Sequence, residues 1–282
     1  MNQSTSELPT DLPETDDHDS PWKEALDRYL AEFTALLFPT IHAAIDWSHP
    51  YRTLDKELQK LLPESASGRR YADKLFEVRA LDGNLALVMI HVEVQGEPDP
   101  AFTARMFQYY YRLSDRYQRP VVSLAVLADT RRRFRPNSFS NELWGCQVSF
   151  QFPMVKLLDW TTPDRWAELE NSDNRFALVV MAQILAKSNK TGSVLKQWKF
   201  KLIRLMYERG YQKEQVLELF RFIDWFIRLP KELEAEFLNE LYTYEESRQM
   251  PYMTTVERAG IEKGIQLGIG QGIEQGIEQG IG

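Results

Sequence analysis

The chain has 282 residues, of which 43% are apolar and 27% charged, a composition typical of a soluble globular protein with one large domain or two. No apolar run approaches the roughly 20 residues that span a bilayer, and the N-terminus lacks the basic and apolar regions of a signal peptide. The single Cys146 excludes an internal disulfide, argues against a zinc finger and fits a reducing cytosol, so we expect a cytoplasmic protein outside the membrane.

The first 20 residues are acidic, polar and interrupted by proline. They hold six Asp and Glu and no Lys or Arg, which accounts for −6 of the formal net charge of −7. We predict that residues 1–20 are disordered, with an acidic interaction arm as the alternative. The rest of the chain is near neutral, which neither supports nor excludes a polyanionic ligand.

Helical patterns precede the first long strands. Apolar residues recur at helical spacing after Pro21, and Pro39 is expected to end this helix. Residues 54–62 have the pattern of a short amphipathic helix that carries Asp55 and Glu57.

Two strand-like runs flank the turn signal Asp82-Gly83-Asn84. The second run is apolar until His91, Glu93 and Gln95, which share one face because alternate strand residues point the same way. A buried carboxylate needs a partner or a cation, and Asp73 on the first run is the obvious partner for Glu93. A three-residue loop at 82–84 places Asp73 opposite Glu93, whereas a two-residue loop separates them onto opposite faces. We predict the three-residue loop.

A helix, two further strands and a basic loop are predicted after this hairpin. Residues 101–119 have an apolar stripe at helical spacing, and basic residues including Arg105 lie near one side. The run 121–128 indicates a buried strand, and the alternating pattern within 145–158 indicates another. The residues between them, 131–135, include four arginines and are expected to form a loop.

The C-terminal part is predicted to be helical, over 164–188, 194–209, 212–228 and 230–248. The lysines of the second of these helices favour a solvated face over a phosphate-binding face. From Gly260 onward, glycine recurs every four residues with isoleucine beside it. This tail is either a self-association helix, which would make the protein a homo-oligomer, or a low-complexity segment; its charges argue against a membrane helix.

Carboxylates on adjacent strands, beside a glutamine and a helix with arginines, indicate a Mg²⁺ site. Magnesium prefers one or two carboxylates together with water and phosphate oxygens. Such an ion can activate water and offset charge on a phosphodiester. The competing interpretation is that Glu93 forms an ion pair with Arg79 or Arg105.

At these residues the chain resembles a known group of enzymes. Asp73, followed about twenty residues later by Glu93-Val94-Gln95, is similar to the core of the PD-(D/E)XK nuclease superfamily. The run HVEVQ, the helix RMFQYYYRL and the glycine-isoleucine tail resemble, more narrowly, the recombination-promoting nuclease/transposase family of bacteria. The resemblance covers about residues 25–160, and the ordered combination of motifs is more specific than the short ExQ motif alone.

The resemblance implies roles for three residues of the hairpin. Asp73 matches the metal-binding aspartate of the superfamily, and Glu93 matches the acidic residue of its (D/E)XK element and would be the second metal ligand. Gln95 stands where most members have lysine. Glutamine carries no positive charge and cannot act as a general base, so it would orient the water or the phosphate by hydrogen bonds.

Four further residues are candidates by the same resemblance. Another acidic residue usually comes from the preceding helix, where Glu57 is our choice and Asp55 the second choice. Arg105 and Tyr109, one helical turn apart, could contact the scissile phosphate, or could equally serve core packing or a surface ion pair.

We therefore expect an α/β protein with a PD-(D/E)XK nuclease-like mixed sheet of about four strands flanked by helices, then an all-helical C-terminal half. The expected segments are a tail (1–20), a nuclease-like domain (21–160), a helical region (161–255) and the glycine-isoleucine tail (256–282). The expected function is a Mg²⁺- or Mn²⁺-dependent DNA endonuclease. The alternatives are a catalytically degenerate nuclease fold that acts in interaction or self-assembly, and a nucleic-acid-binding module without cleavage, which would use 131–135 and the lysine helix.

Overall fold

The computed structural model describes residues 21–59, 71–93, 100–188 and 190–249. The predictions for the N-terminal tail, for Gln95 and for the glycine-isoleucine tail lie outside these ranges, as does the side chain of Glu93. The chain divides into two compact units, one ending at Ala177 and the other beginning at Leu178. Within the described ranges, no helix has both the length and the apolar character needed to cross a membrane.

The first unit is a mixed α/β structure. Its helices are α1 (Pro21–Leu37), α2 (Pro39–His42), α3 (Asp55–Gln59), α4 (Phe102–Tyr117) and α5 (Pro163–Glu170), with a 3-10 helix at Leu157–Thr161. Its strands are β1 (Arg52–Thr53), β2 (Tyr71–Arg79), β3 (Leu85–Glu93), β4 (Val121–Leu127), β5 (Ser138–Leu143), β6 (Cys146–Gln151) and β7 (Met154–Lys156). Proline begins α1, and α1 ends just before Pro39, as the sequence predicted; Pro39 itself begins the short helix α2, a start that was not predicted.

Five strands form the central sheet in the order β1-β2-β3-β4-β7. The β1-β2 and β2-β3 pairs are antiparallel, and the β3-β4 and β4-β7 pairs are parallel. The predicted mixed sheet between helices is confirmed, with five strands in place of about four. Strands β5 and β6 lie outside it and form a separate two-stranded antiparallel sheet.

The predicted register of the β2-β3 hairpin is wrong by two residues. Asp73 pairs with His91, and Glu93 pairs with Tyr71. The loop does have three residues, but it runs one position earlier, because the Ala80 N–H donates to the Asn84 carbonyl at 2.8 Å. Gly83 is its last residue and has a φ of 86°. Glycine adopts this left-handed conformation at less cost than asparagine, so the loop closes before Asn84.

Helices cover the two faces of the sheet. On one face, α4 and α3 pack on alternate residues of β2 and β3, which are apolar at these positions. This cluster contains Leu54, Leu58, Leu75, Leu87, Met89, Tyr109 and Leu113. On the other face lies α1, where Asp27 contacts the buried Lys74 of β2. The sheet is therefore the middle layer of the unit, and Asp73 lies on the α4 side.

The predicted single helix over 164–188 is two helices. Between them Asn174 acts as an N-cap, because its side-chain oxygen accepts the N–H of Phe176 at 2.8 Å. The Asn174 amide also donates to the Glu32 carbonyl at 2.8 Å, which fixes this break against α1. The second helix, α6 (Phe176–Ala186), begins at the end of the first unit.

The second unit contains the remaining described helices, α7 (Gly192–Glu208), α8 (Lys213–Phe226) and α9 (Lys231–Arg248). The three helices meet around Lys199, which is fully buried and lies 2.6 Å from Asp224 and 2.9 Å from Glu234. Burial raises the pKa of Glu234, while Lys199 opposes that rise. Helix α7 therefore has one lysine, Lys199, in a core ion pair, in addition to the lysines of its solvated face.

Candidate active site

The first site residue, Asp73, lies near the start of β2 and contacts His91 directly across the β2-β3 ladder. The His91 Nδ1 atom donates a hydrogen bond to the Asp73 carboxylate, which can only accept. His91 is fully buried, whereas 10% of the Asp73 side chain is exposed. Sequence analysis identified His91 as a polar residue in an apolar strand without assigning it a role. In the structure, His91 is the residue that orients Asp73.

Helix α4 packs over this pair. The Phe102 ring meets the His91 ring edge to face with centroids 5.2 Å apart, and the Tyr109 ring lies 6.5 Å from it. Tyr109 is only 2% exposed and belongs to the core beneath α4. Arg105 is half-buried, with its guanidinium 5.8 Å from the centre of the Phe102 ring. The predicted phosphate contacts of Arg105 and Tyr109 remain predictions. Arg105 is the better candidate of the two because its side chain is less buried.

The two acidic residues of α3 have different surroundings. Asp55 accepts a hydrogen bond from Lys74, whose Nζ atom also lies 2.6 Å from Asp27. Lys74 follows Asp73 in the strand, so the two side chains point to opposite faces of the sheet. Asp55 is therefore held by an ion pair with a residue of the other face. Glu57 is half-buried and takes no part in this ion pair, so it remains the α3 candidate for the predicted site.

A second polar cluster lies at the carboxyl ends of the parallel strands. Lys156 ends β7 and forms a buried ion pair with Asp129, just beyond β4. Burial lowers the pKa of Lys156, and the hydrogen bond to Asp129 opposes that effect. The Lys156 ammonium also lies 5.8 Å from the centre of the Phe134 ring. Sequence analysis missed this pair, although an aspartate right after a buried strand and a lysine inside an apolar run were its signals.

The two clusters lie at the same end of the sheet, the one formed by the carboxyl ends of its parallel strands. Strands β3, β4 and β7 are parallel, so their carboxyl ends meet there, and the register aligns Glu93 with Leu127 and Leu127 with Lys156. Strand β2 is antiparallel to β3, so Asp73, near the amino end of β2, lies at this same end of the sheet. Ligands of open α/β sheets commonly bind beyond the carboxyl ends of the strands.

The Asp73 carboxylate is chemically suited to be one oxygen ligand of a hard divalent cation. Such ions take oxygen ligands, and ligating carboxylates are commonly held by hydrogen bonds of the kind that His91 provides. Across the ranges that the structure describes, no group of three or more His, Cys, Asp or Glu side chains could hold a metal ion. The side chains of Glu93 and Gln95 lie outside these ranges, so the predicted ligand set, Asp73 included, stays a prediction.

Comparisons with known proteins give no relative for this chain. No protein-family model matches it, and neither the curated proteins nor the solved structures contain a match.

Proposed function

We propose that the protein is a Mg²⁺- or Mn²⁺-dependent DNA endonuclease that hydrolyses phosphodiester bonds, related to the recombination-promoting nuclease/transposase family. The observation that carries the proposal is the Asp73 carboxylate, which accepts a hydrogen bond from the buried His91 at the end of the sheet where the parallel strands have their carboxyl ends. Glu93 lies two residues beyond His91 on the same strand, diagonal to Asp73 in the ladder. The mixed sheet between helices is also the fold class that the resemblance implies.

In this proposal Asp73 and Glu93 hold the cation. A bound divalent cation would lower the pKa of a water molecule and offset the charge that develops on the phosphodiester. His91 keeps the Asp73 carboxylate in a fixed orientation, so little reorganisation is needed when the ligand binds. Gln95 would orient the attacking water or the phosphate by hydrogen bonds, because its amide cannot take up a proton at neutral pH.

The remaining candidates act on the substrate or beside the ligands. Arg105 would place a positive charge near the scissile phosphate, since a guanidinium matches phosphate oxygens in two parallel hydrogen bonds. Glu57 would add a carboxylate from α3. Tyr109 is buried, so its contribution would be to pack α4 against the His91 ring.

The test is cleavage of supercoiled plasmid by the full chain with Mg²⁺, with Mn²⁺ and with chelator. Asp73→Asn removes the negative charge but keeps an oxygen that can accept the His91 hydrogen bond, so the fold is retained. Glu93→Gln is its counterpart on β3. Glu168→Gln is the matched control, because it removes a carboxylate of the same unit that is 52% exposed on α5. Circular dichroism verifies that each variant is folded.

We expect the wild type and Glu168→Gln to nick the plasmid with either metal, and chelator, Asp73→Asn and Glu93→Gln each to abolish nicking. Absence of nicking with both metals, or equal nicking by all variants, would overturn the proposal. That result would favour the alternative of a catalytically degenerate nuclease fold that acts in interaction or self-assembly.

A further inference from the structure

The β5-β6 ribbon is anchored at its base and free at its tip. It forms a two-stranded sheet of its own, outside the central sheet. At its base, Phe139 stacks on Phe107 of α4 with centroids 4.9 Å apart, and Phe150 lies 4.7 Å from Tyr110. These contacts fix the direction of the ribbon on α4.

The tip presents a tryptophan that takes no part in the core. Leu143 pairs with Cys146, which leaves Trp144 and Gly145 as the two loop residues. Both have positive φ, 51° and 82°, as a tight primed turn requires. Trp144 is 97% exposed and Leu143 is 59% exposed. A rigid turn therefore holds a large aromatic side chain almost completely in solvent, where it contributes nothing to packing.

The outer face of the ribbon is polar and almost uncharged. Alternate residues of both strands form this face, and all of them are exposed hydrogen-bonding side chains. They are Ser138, Ser140, Glu142, Gln147, Ser149 and Gln151. The serine and glutamine side chains can bind base edges and sugar-phosphate oxygens, whereas the Glu142 carboxylate can only accept from a base amino group.

The segment that contains the ribbon is positively charged, although the chain beyond its acidic first 20 residues is near neutral as a whole. Residues 101–160 hold nine Lys and Arg and four Asp and Glu. The loop that leads into β5 contains three consecutive exposed arginines at 131–133. Charge complementarity therefore favours a polyanionic partner, and surfaces that bind single strands combine positive charges along the backbone with aromatic rings on which bases stack.

We infer that the β5-β6 ribbon is an arm that binds single-stranded or locally unpaired DNA. A base stacks on Trp144 at the tip, and Arg132 and Arg133 near the base contact backbone phosphates. Strands of six residues span about 20 Å at about 3.3 Å per residue, so the arm reaches along several nucleotides. The choice of DNA rests on the proposed function, but binding by the arm requires no cleavage and is measurable without metal.

The test is fluorescence anisotropy of a labelled 20-nucleotide single strand and of the matching duplex, with the full chain, in chelator, at several salt concentrations. The variants are Trp144→Ala, Trp144→Phe and the double variant Arg132→Gln/Arg133→Gln. Leu81→Ala is the matched control, because Leu81 is also a large apolar residue, 69% exposed, in the turn of the other hairpin. Size-exclusion chromatography with light scattering gives the oligomeric state of each variant.

We expect Trp144→Ala to weaken single-strand binding at least about fivefold, Trp144→Phe to retain part of the affinity and Leu81→Ala to bind like the wild type. The double arginine variant is expected to weaken binding to both DNAs and to reduce the slope of log K against log salt by about 1.4 for the single strand.

Two results would overturn the inference: no binding of single-stranded DNA by the wild type, or equal affinity of wild type and Trp144→Ala. Equal affinity together with a changed oligomeric state of Trp144→Ala would show that the tip contacts protein. Binding that depends on Trp144 without any plasmid nicking would refute the endonuclease alone. Nicking that depends on Asp73, with binding independent of Trp144, would refute the arm alone.

Discussion

Replacing Asp73 separates its structural role from its proposed metal-binding role. Its carboxylate accepts a hydrogen bond from the fully buried His91. Asp73→Ala removes the acceptor, and a buried donor that loses its partner costs about 1–3 kcal/mol, with more for charged groups. We therefore expect the free energy of unfolding to fall by about 2–4 kcal/mol in this variant. Asp73→Asn keeps an oxygen acceptor, so we expect a loss of about 1 kcal/mol.

Urea denaturation with and without Mg²⁺ measures both roles. A ligand present at ten times its Kd stabilises the folded state by about 1.4 kcal/mol. We expect the wild type to gain about this much with saturating Mg²⁺ and Asp73→Asn to gain nothing. A cost below about 0.5 kcal/mol for Asp73→Ala would refute the buried hydrogen bond. Equal stabilisation of wild type and Asp73→Asn by Mg²⁺ would refute the metal-binding role.

Three other substitutions test features of the structure away from Asp73. Lys156→Met leaves the Asp129 carboxylate buried without its cation, so we expect the free energy of unfolding, measured in urea, to fall by about 3–5 kcal/mol. The double variant Lys156→Met/Asp129→Leu removes the buried charge as well and should recover part of this loss. A double variant that is no more stable than Lys156→Met would contradict this reasoning. Hydrogen bonds from Arg135 lower the pKa of Asp159 below its ordinary value of 3.8, so that pair stabilises the fold at neutral pH and its contribution is lost as the pH falls through the lowered pKa. Asp159→Asn is then less stable than wild type by at most about 1 kcal/mol at pH 7 and converges with it in acid, whereas a constant difference at all pH values contradicts this. Gly210 has a φ of 68° and open space around it, so Gly210→Ala should cost about 1 kcal/mol in thermal denaturation, and Gly210→Asn less.

The sequence predicted the elements whose signals are local. Proline at the start of α1, the apolar stripe of α4 and the buried run of β4 each lie within a few neighbouring residues, and the structure confirms these elements within two residues of the predicted ends. The break between α5 and α6 was missed although the run Asn171-Ser172-Asp173-Asn174 is a local turn signal. What no local pattern shows is that the Asn174 amide also donates to the carbonyl of Glu32, which is 142 residues away in the chain.

Contacts between distant segments were the part that the sequence could not predict. The alternation in β6 identified a strand, but its partner is β5, because its aromatic residues pack on α4 instead of entering the central sheet. The buried Lys156 illustrates the same limit. Its carboxylate partner, Asp129, is 27 residues away, and only the parallel pairing of β4 with β7 brings the two side chains together.

The hairpin register shows why the face of a site is easier to predict than its contacts. Side chains alternate along a strand with a period of two, so an error of two residues left Asp73 on the predicted face, whereas an error of one would have reversed it. The partner of Asp73 depended on which loop residue adopts the left-handed conformation, and Gly83 does so at less cost than Asn84. The shift placed His91 opposite Asp73 and moved Glu93 to the diagonal position, a separation that long side chains still bridge in a sheet. In the proposed site, Asp73 and Glu93 would have to hold the cation across this diagonal, while His91 orients the Asp73 carboxylate.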